Sequence, residues 1–99
     1  MAWMITRDAL AEDLELETND TGVCGPRTIT DTARDKLIDG KGHPFRMYDD
    51  DDILYYEGLL LGDKDGEQGF TPLDHFGTPN AGCTRIEYFN EKTGEWETL

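Results

Sequence analysis

A chain of 99 residues has room for one domain and no second core. Its 22 acidic against 9 basic residues leave a net charge of −13, which argues against direct binding to nucleic acid or anionic membranes and favours basic protein surfaces and cations. Apolar residues make up only 36%, so the core is thin, yet two Trp, four Tyr and four Phe spaced between turn signals point to a folded domain rather than a disordered one.

The chain opens with AWMITR at 2–7, an alternating run that predicts a strand with Trp3 and Ile5 on one face. MAWMITRD lacks the apolar run and small-residue cleavage site of an export signal. No segment approaches the ~20 apolar residues that span a bilayer. The expectation is a cytoplasmic protein without membrane association, with Cys24 and Cys83 reduced.

DALAEDLELETND at 8–20 holds six acids and no base. Leu10 and Leu14 are four apart, which fits a short acidic helix; a solvated loop fits equally. TGVCGP at 21–26 reads as a short strand ended by Gly25-Pro26. TITDTARDKLIDGKG at 28–42 is the clearest helix. Thr30 can cap it, Ile29, Ala33 and Leu37 fall at helical spacing, Ile38 widens the stripe, and Gly40 stands just past the end.

PFRMY at 44–48 and ILYYEGLLLG at 53–62 flank DDDD, the pattern of a hairpin with a four-residue connection. The second strand is apolar on both faces, with Ile53, Tyr55, Leu59 and Leu61 on one and Leu54, Tyr56 and Leu60 on the other. It is predicted to be central, with the 31–39 helix covering one face. DKDGEQG at 63–69 is a polar turn. GFTPL at 69–73 predicts a short strand stopped by Pro72. HFGTPNAG at 75–82 looks too rich in turn formers for regular structure. CTRIEYF at 83–89 and EWETL at 95–99 are strands joined by the NEKTG turn, where Gly94 suits a positive φ. The sum is a single α+β domain over 1–99: a mostly antiparallel sheet of five or six strands with one short helix packed on one face.

FRMYDDDDILYYEG and PLDHFGTPNAGCTRIEY together resemble a group of short acidic proteins from bacteria and their phages. In that group an aspartate-rich hairpin precedes LYYEG, and an aspartate-phenylalanine-glycine stretch leads into AGCT and a strand. The resemblance covers about half of the chain. It implies a recurrent fold and a prokaryotic or phage context, and it transfers no catalytic residue.

The aspartate run poses the functional question, because adjacent carboxylates repel by on the order of 1 kcal/mol each in water. At a hairpin tip they fan into solvent, and there they also discourage edge-to-edge aggregation. Against a basic groove the same charges release ions and speed encounter. The candidate partner-binding residues are Asp49, Asp50, Asp51, Asp52 and Glu57, with Glu12, Asp13, Glu15 and Glu17. The leading expectation is a non-enzymatic acidic binding protein. Its strongest form is a mimic of the DNA backbone that inhibits a basic nucleic-acid-binding protein, as a phage anti-CRISPR or other anti-defence protein would.

The alternatives are an acidity that serves solubility or a high-salt environment, and a weak divalent-cation binder. DKDGEQG resembles half of a calcium loop, but Leu61 and Pro72 stand where an EF-hand needs acids. Asp74, His75 and Cys83 supply the residue types of a Cys–His pair without a local signature. His43 reads as a loop residue, and Cys83 as a small buried side chain. Cys24, Cys83, His43 and His75 lack zinc-site spacing. No catalytic residue, metal ligand or cofactor is therefore assigned. The aromatic residues Tyr48, Tyr55, Tyr56, Phe70, Phe76, Tyr88, Phe89 and Trp96 read as mostly core.

Overall fold

The computed structural model describes residues 1–99 as an α+β fold built on one six-stranded antiparallel sheet. The strands are β1 (Ala2–Asp8), β2 (Cys24–Gly25), β3 (His43–Tyr48), β4 (Leu54–Leu61), β5 (Arg85–Asn90) and β6 (Glu95–Thr98). Their order across the sheet is β2-β1-β4-β3-β5-β6. The helices are α1 (Ala9–Asp13), α2 (Asp31–Ile38) and α3 (Thr78–Ala81), with a 3-10 turn at Glu67–Phe70 and a π turn at Leu73–Gly77 leading into α3.

β4 lies inside the sheet between β1 and β3, as a strand apolar on both faces requires. On one face Trp3, Ile5, Phe45, Met47, Tyr56, Leu60, Ile86 and Tyr88 form the main core with Leu73, Phe76 and Cys83. Phe76 sits edge-on to Tyr56 at 4.9 Å between ring centroids and tilts against Trp3 at 5.7 Å. On the other face α2 presses Leu37 onto Ala2 and Met4, with Leu59 and Leu61 beside them. The Thr30 hydroxyl accepts from the Ala33 N–H at 3.1 Å and caps α2, and Gly40 ends the turn beyond it at φ +85°. Ile38 does not widen the buried stripe: it is exposed on the side of α2 away from the sheet.

The largest departure from expectation is the cover of the main core. Residues 69–73 form no strand, and 75–82 is not irregular: both belong to a helical segment over 67–81. This segment therefore covers one face of the sheet, and α2 covers the part of the other face around β1 and the end of β4. The turn-forming residues have other uses here. Pro72 stands directly before the π turn and Pro79 at the start of α3, where the helical hydrogen-bond pattern changes. Gly77 lies so close to β3 that a Cβ would sit 2.6 Å from Met47 Sδ. Gly82 ends the segment at φ +72°. His43, expected in a loop, begins β3 instead.

Candidate acidic interface

Antiparallel pairing decides where the acids gather. β1 runs against β4 with Asp8 opposite Tyr56, and β3 against β4 with Tyr48 opposite Leu54. The 9–20 segment and the 49–53 connection therefore leave the sheet at the same end. Eight of the nine candidate carboxylates lie on these two pieces of chain, and Glu57 stands on β4 just behind them.

Asp8, absent from the candidate set, organises the first piece. It is 5% exposed. One carboxylate oxygen caps α1 by accepting from the Ala11 N–H at 2.9 Å, and the other accepts from the Asp20 N–H at 2.9 Å. Both ends of the acidic excursion are thereby tied to one side chain. An aspartate directly before ALAED is a helix-cap signal that was available in the sequence. Between these ties, Asp13, Glu15 and Glu17 are exposed and have no cation within ion-pair distance.

The connection at 49–53 is one residue longer than the sequence suggested. Asp49 is its keystone: one oxygen accepts from the Asp51 N–H at 2.8 Å and the Ile53 N–H at 3.0 Å. Donation from Ile53 holds the Asp49 carboxyl below its usual range. Asp52 takes φ +62°, a left-handed conformation that aspartate tolerates better than most residues, and pairs with Arg85. The Arg85 guanidinium lies 4.4 Å from the centre of the Tyr48 ring. Asp50 and Asp51 remain exposed and free of cations.

Glu57 is not part of a free ridge. Its two oxygens accept from Arg7 and from Arg46, each at 3.0 Å. Arg7 also donates to Glu12 at 2.9 Å, and Arg46 reaches across β5 to lie 4.0 Å from the centre of the Trp96 ring. A row Glu12–Arg7–Glu57–Arg46–Trp96 thus crosses the part of the sheet that α2 leaves open. Of the nine candidates, three are neutralised by arginine, one builds a turn, and five stand free: Asp13, Glu15, Glu17, Asp50 and Asp51. Other carboxylates lie elsewhere, with Asp31, Asp35 and Asp39 on or beside α2 and Asp63, Asp65, Glu91 and Glu95 at the opposite end of the sheet.

The residues weighed for chemistry are not brought together. Asp74 and His75 are exposed on the helical cover, whereas Cys83 is fully buried. Desolvation pushes the Cys83 thiol up to about 12, which keeps it protonated and non-nucleophilic. No group of three or more His, Cys, Asp or Glu side chains is placed to hold a metal ion. In the 63–69 turn, Asp63 accepts from the Asp65 N–H at 3.0 Å. No helix is long and apolar enough to cross a membrane. Comparison with known proteins found no matching family model, no matching curated protein and no matching solved structure.

Proposed function

We propose that the chain is a binding protein that presents the acidic end of its sheet to a basic protein partner. In its strongest form it mimics the nucleic-acid backbone and occupies the groove of a nucleic-acid-binding protein, as an antagonist of a host defence nuclease would. The observation that carries this reading is the set of five exposed, cation-free carboxylates on two pieces of chain that leave the sheet at the same end. The fold spends three of its five arginines neutralising carboxylates beside them, yet none reaches these five. Duplex DNA carries one charge per ~1.7 Å of axis, and a basic groove matched to it attracts a comparable cluster.

The test is affinity capture from the native lysate, followed by titration of whatever nucleic-acid-binding protein is recovered. The expected result is steeply salt-dependent binding that duplex DNA competes away. Amidation of the five (Asp13, Asp50 and Asp51 to Asn, Glu15 and Glu17 to Gln) should weaken it at least about 100-fold with no loss of fold stability. Binding indifferent to amidation, or to competing DNA, would sink the proposal.

A second reading rests on the carboxylates of α2 and of the opposite end of the sheet, which make the acidity wider than one patch. On that reading the charge is an adaptation to high salt. Fold stability should then keep rising into molar salt, and the five amidations should abolish none of the binding.

A further inference from the structure

The two edges of the sheet differ in what they offer. β2 is two residues long, whereas β6 runs for four, Glu95–Thr98, and no strand lies beyond it. Its main-chain directions follow from its pairing with β5. The Leu99 N–H donates to the Ile86 carbonyl at 3.1 Å, and in the same register Glu97 stands opposite Tyr88 and Glu95 opposite Asn90. Backbone groups alternate sides along an antiparallel strand. Glu95, Glu97 and Leu99 therefore bond inward, and Trp96 and Thr98 turn their N–H and C=O groups to the free edge.

The side chains alternate between the two faces. On the open face Trp96 is held in place, 5.4 Å from Phe89 between ring centroids and with the Arg46 guanidinium 4.0 Å from its ring centre. On the other face Glu95 and Glu97 are exposed and have no cation within ion-pair distance. Glu97 accepts only from the neutral Asn90 amide, at 3.0 Å. β6 contains no proline, lysine or register shift, devices that commonly close an edge.

Its carboxylates decide what can pair there. Pairing β6 with β6 of a second copy sets Glu97 against Glu97, or Glu95 against Glu97, in the two registers that overlap most, and like charges directly opposite are destabilising. A strand with basic residues at every second position meets the reverse situation. Its cations stand opposite Glu95 and Glu97, and the apolar residue between them falls on Trp96. We propose that β6 is a docking edge for an extended basic segment of a partner protein, which adds to the sheet as a further antiparallel strand. Glu95 lies at the end of the sheet opposite the five free carboxylates, so this inference does not rest on the acidic end.

The probe is the acetylated, amidated heptapeptide KVKVKVK, titrated into the full ¹⁵N-labelled chain at physiological salt. The Trp96 and Thr98 amides should shift saturably and gain at least about ten-fold protection from hydrogen exchange, with a smaller change at Glu97, which already bonds inward. In antiparallel pairing the peptide residues that share a face with Trp96 are those whose N–H reaches β6. N-methylation of the valines should therefore weaken binding at least about ten-fold, whereas N-methylation of the lysines should leave it intact. Both methylated peptides keep the same charge, so general attraction to an acidic chain does not reproduce the difference. Glu95→Gln combined with Glu97→Gln should weaken binding about five-fold. Thr98→Pro, which removes an outward N–H and spares the β5 ladder, should weaken it about ten-fold. Equal effects of the two methylations, shifts confined to the acidic end, or protection of Trp96 and Thr98 that grows with protein concentration without peptide would overturn the proposal.

Discussion

The two faces of the sheet solve opposite problems. Under the 67–81 segment, aromatic and aliphatic side chains close on one another and almost no polar group enters; the Tyr88 hydroxyl, buried there, donates to the Gly69 carbonyl at 2.8 Å. On the other face α2 covers only the part around β1 and the end of β4. Beyond it the sheet is open, and its neighbours are charges: Arg7, Glu57, Arg46, Glu87 and Arg85, with Trp96 and Phe89 stacked edge-on at 5.4 Å. Stability is concentrated on the closed face. The open face keeps a strongly acidic sheet from repelling itself, by placing arginines where strand pairing forces carboxylates together. Carboxylates beyond the reach of those arginines are the ones left to act on a partner.

That division can be broken hardest from the closed side. Phe76→Ala removes a ring packed between Trp3 and Tyr56 and should cost about 3–5 kcal/mol of unfolding free energy in a denaturant titration. A loss under about 1 kcal/mol would mean that the helical cover adds little to the core.

High pH probes the same face by another route. Cys83, Tyr56 and Tyr88 are all held above their ordinary values by burial. A raised folded value means that stability is complete below the unfolded value, 9.0 for the thiol, and falls as pH rises through the folded one. Cys83 alone should then cost about 2 kcal/mol by about pH 10.5. Cys83→Ala should delay the onset of this alkaline loss, and an unchanged onset would show that the thiol is not desolvated in solution.

On the open face the effects shrink. Glu57→Gln leaves Arg7 with Glu12 and Arg46 with Trp96, so it should cost only about 1 kcal/mol at low salt and less at high salt. Asp50→Asn should cost nothing, because Asp50 has no partner to lose. If the two changes proved equal, the arginine row would be ornamental.

Much of this was legible in the sequence where the signal is local. The hairpin around DDDD, the Thr30-capped helix ending at Gly40 and the buried Cys83 follow from capping, turn chemistry and apolar alternation. Residues 69–82 were not legible. Gly77, Pro79 and Gly82 read as breakers in isolation, whereas Gly77 is needed for close approach to Met47 and Gly82 for a helix end. The state of each acid was equally hidden. Asp49, Asp50, Asp51 and Asp52 are identical in sequence, yet one caps a turn, one pairs with Arg85 and two are free.

Outside 67–82, the amino-acid sequence by itself determined the strand and helix periods and the turn positions, as it did the charge, because each depends on residues within a few positions of one another. Tertiary structure decided which carboxylates are neutralised, which face 67–81 covers and where Trp3 meets Gly25. Those outcomes depend on strand order and register, which bring together residues as far apart as Arg7 and Glu57.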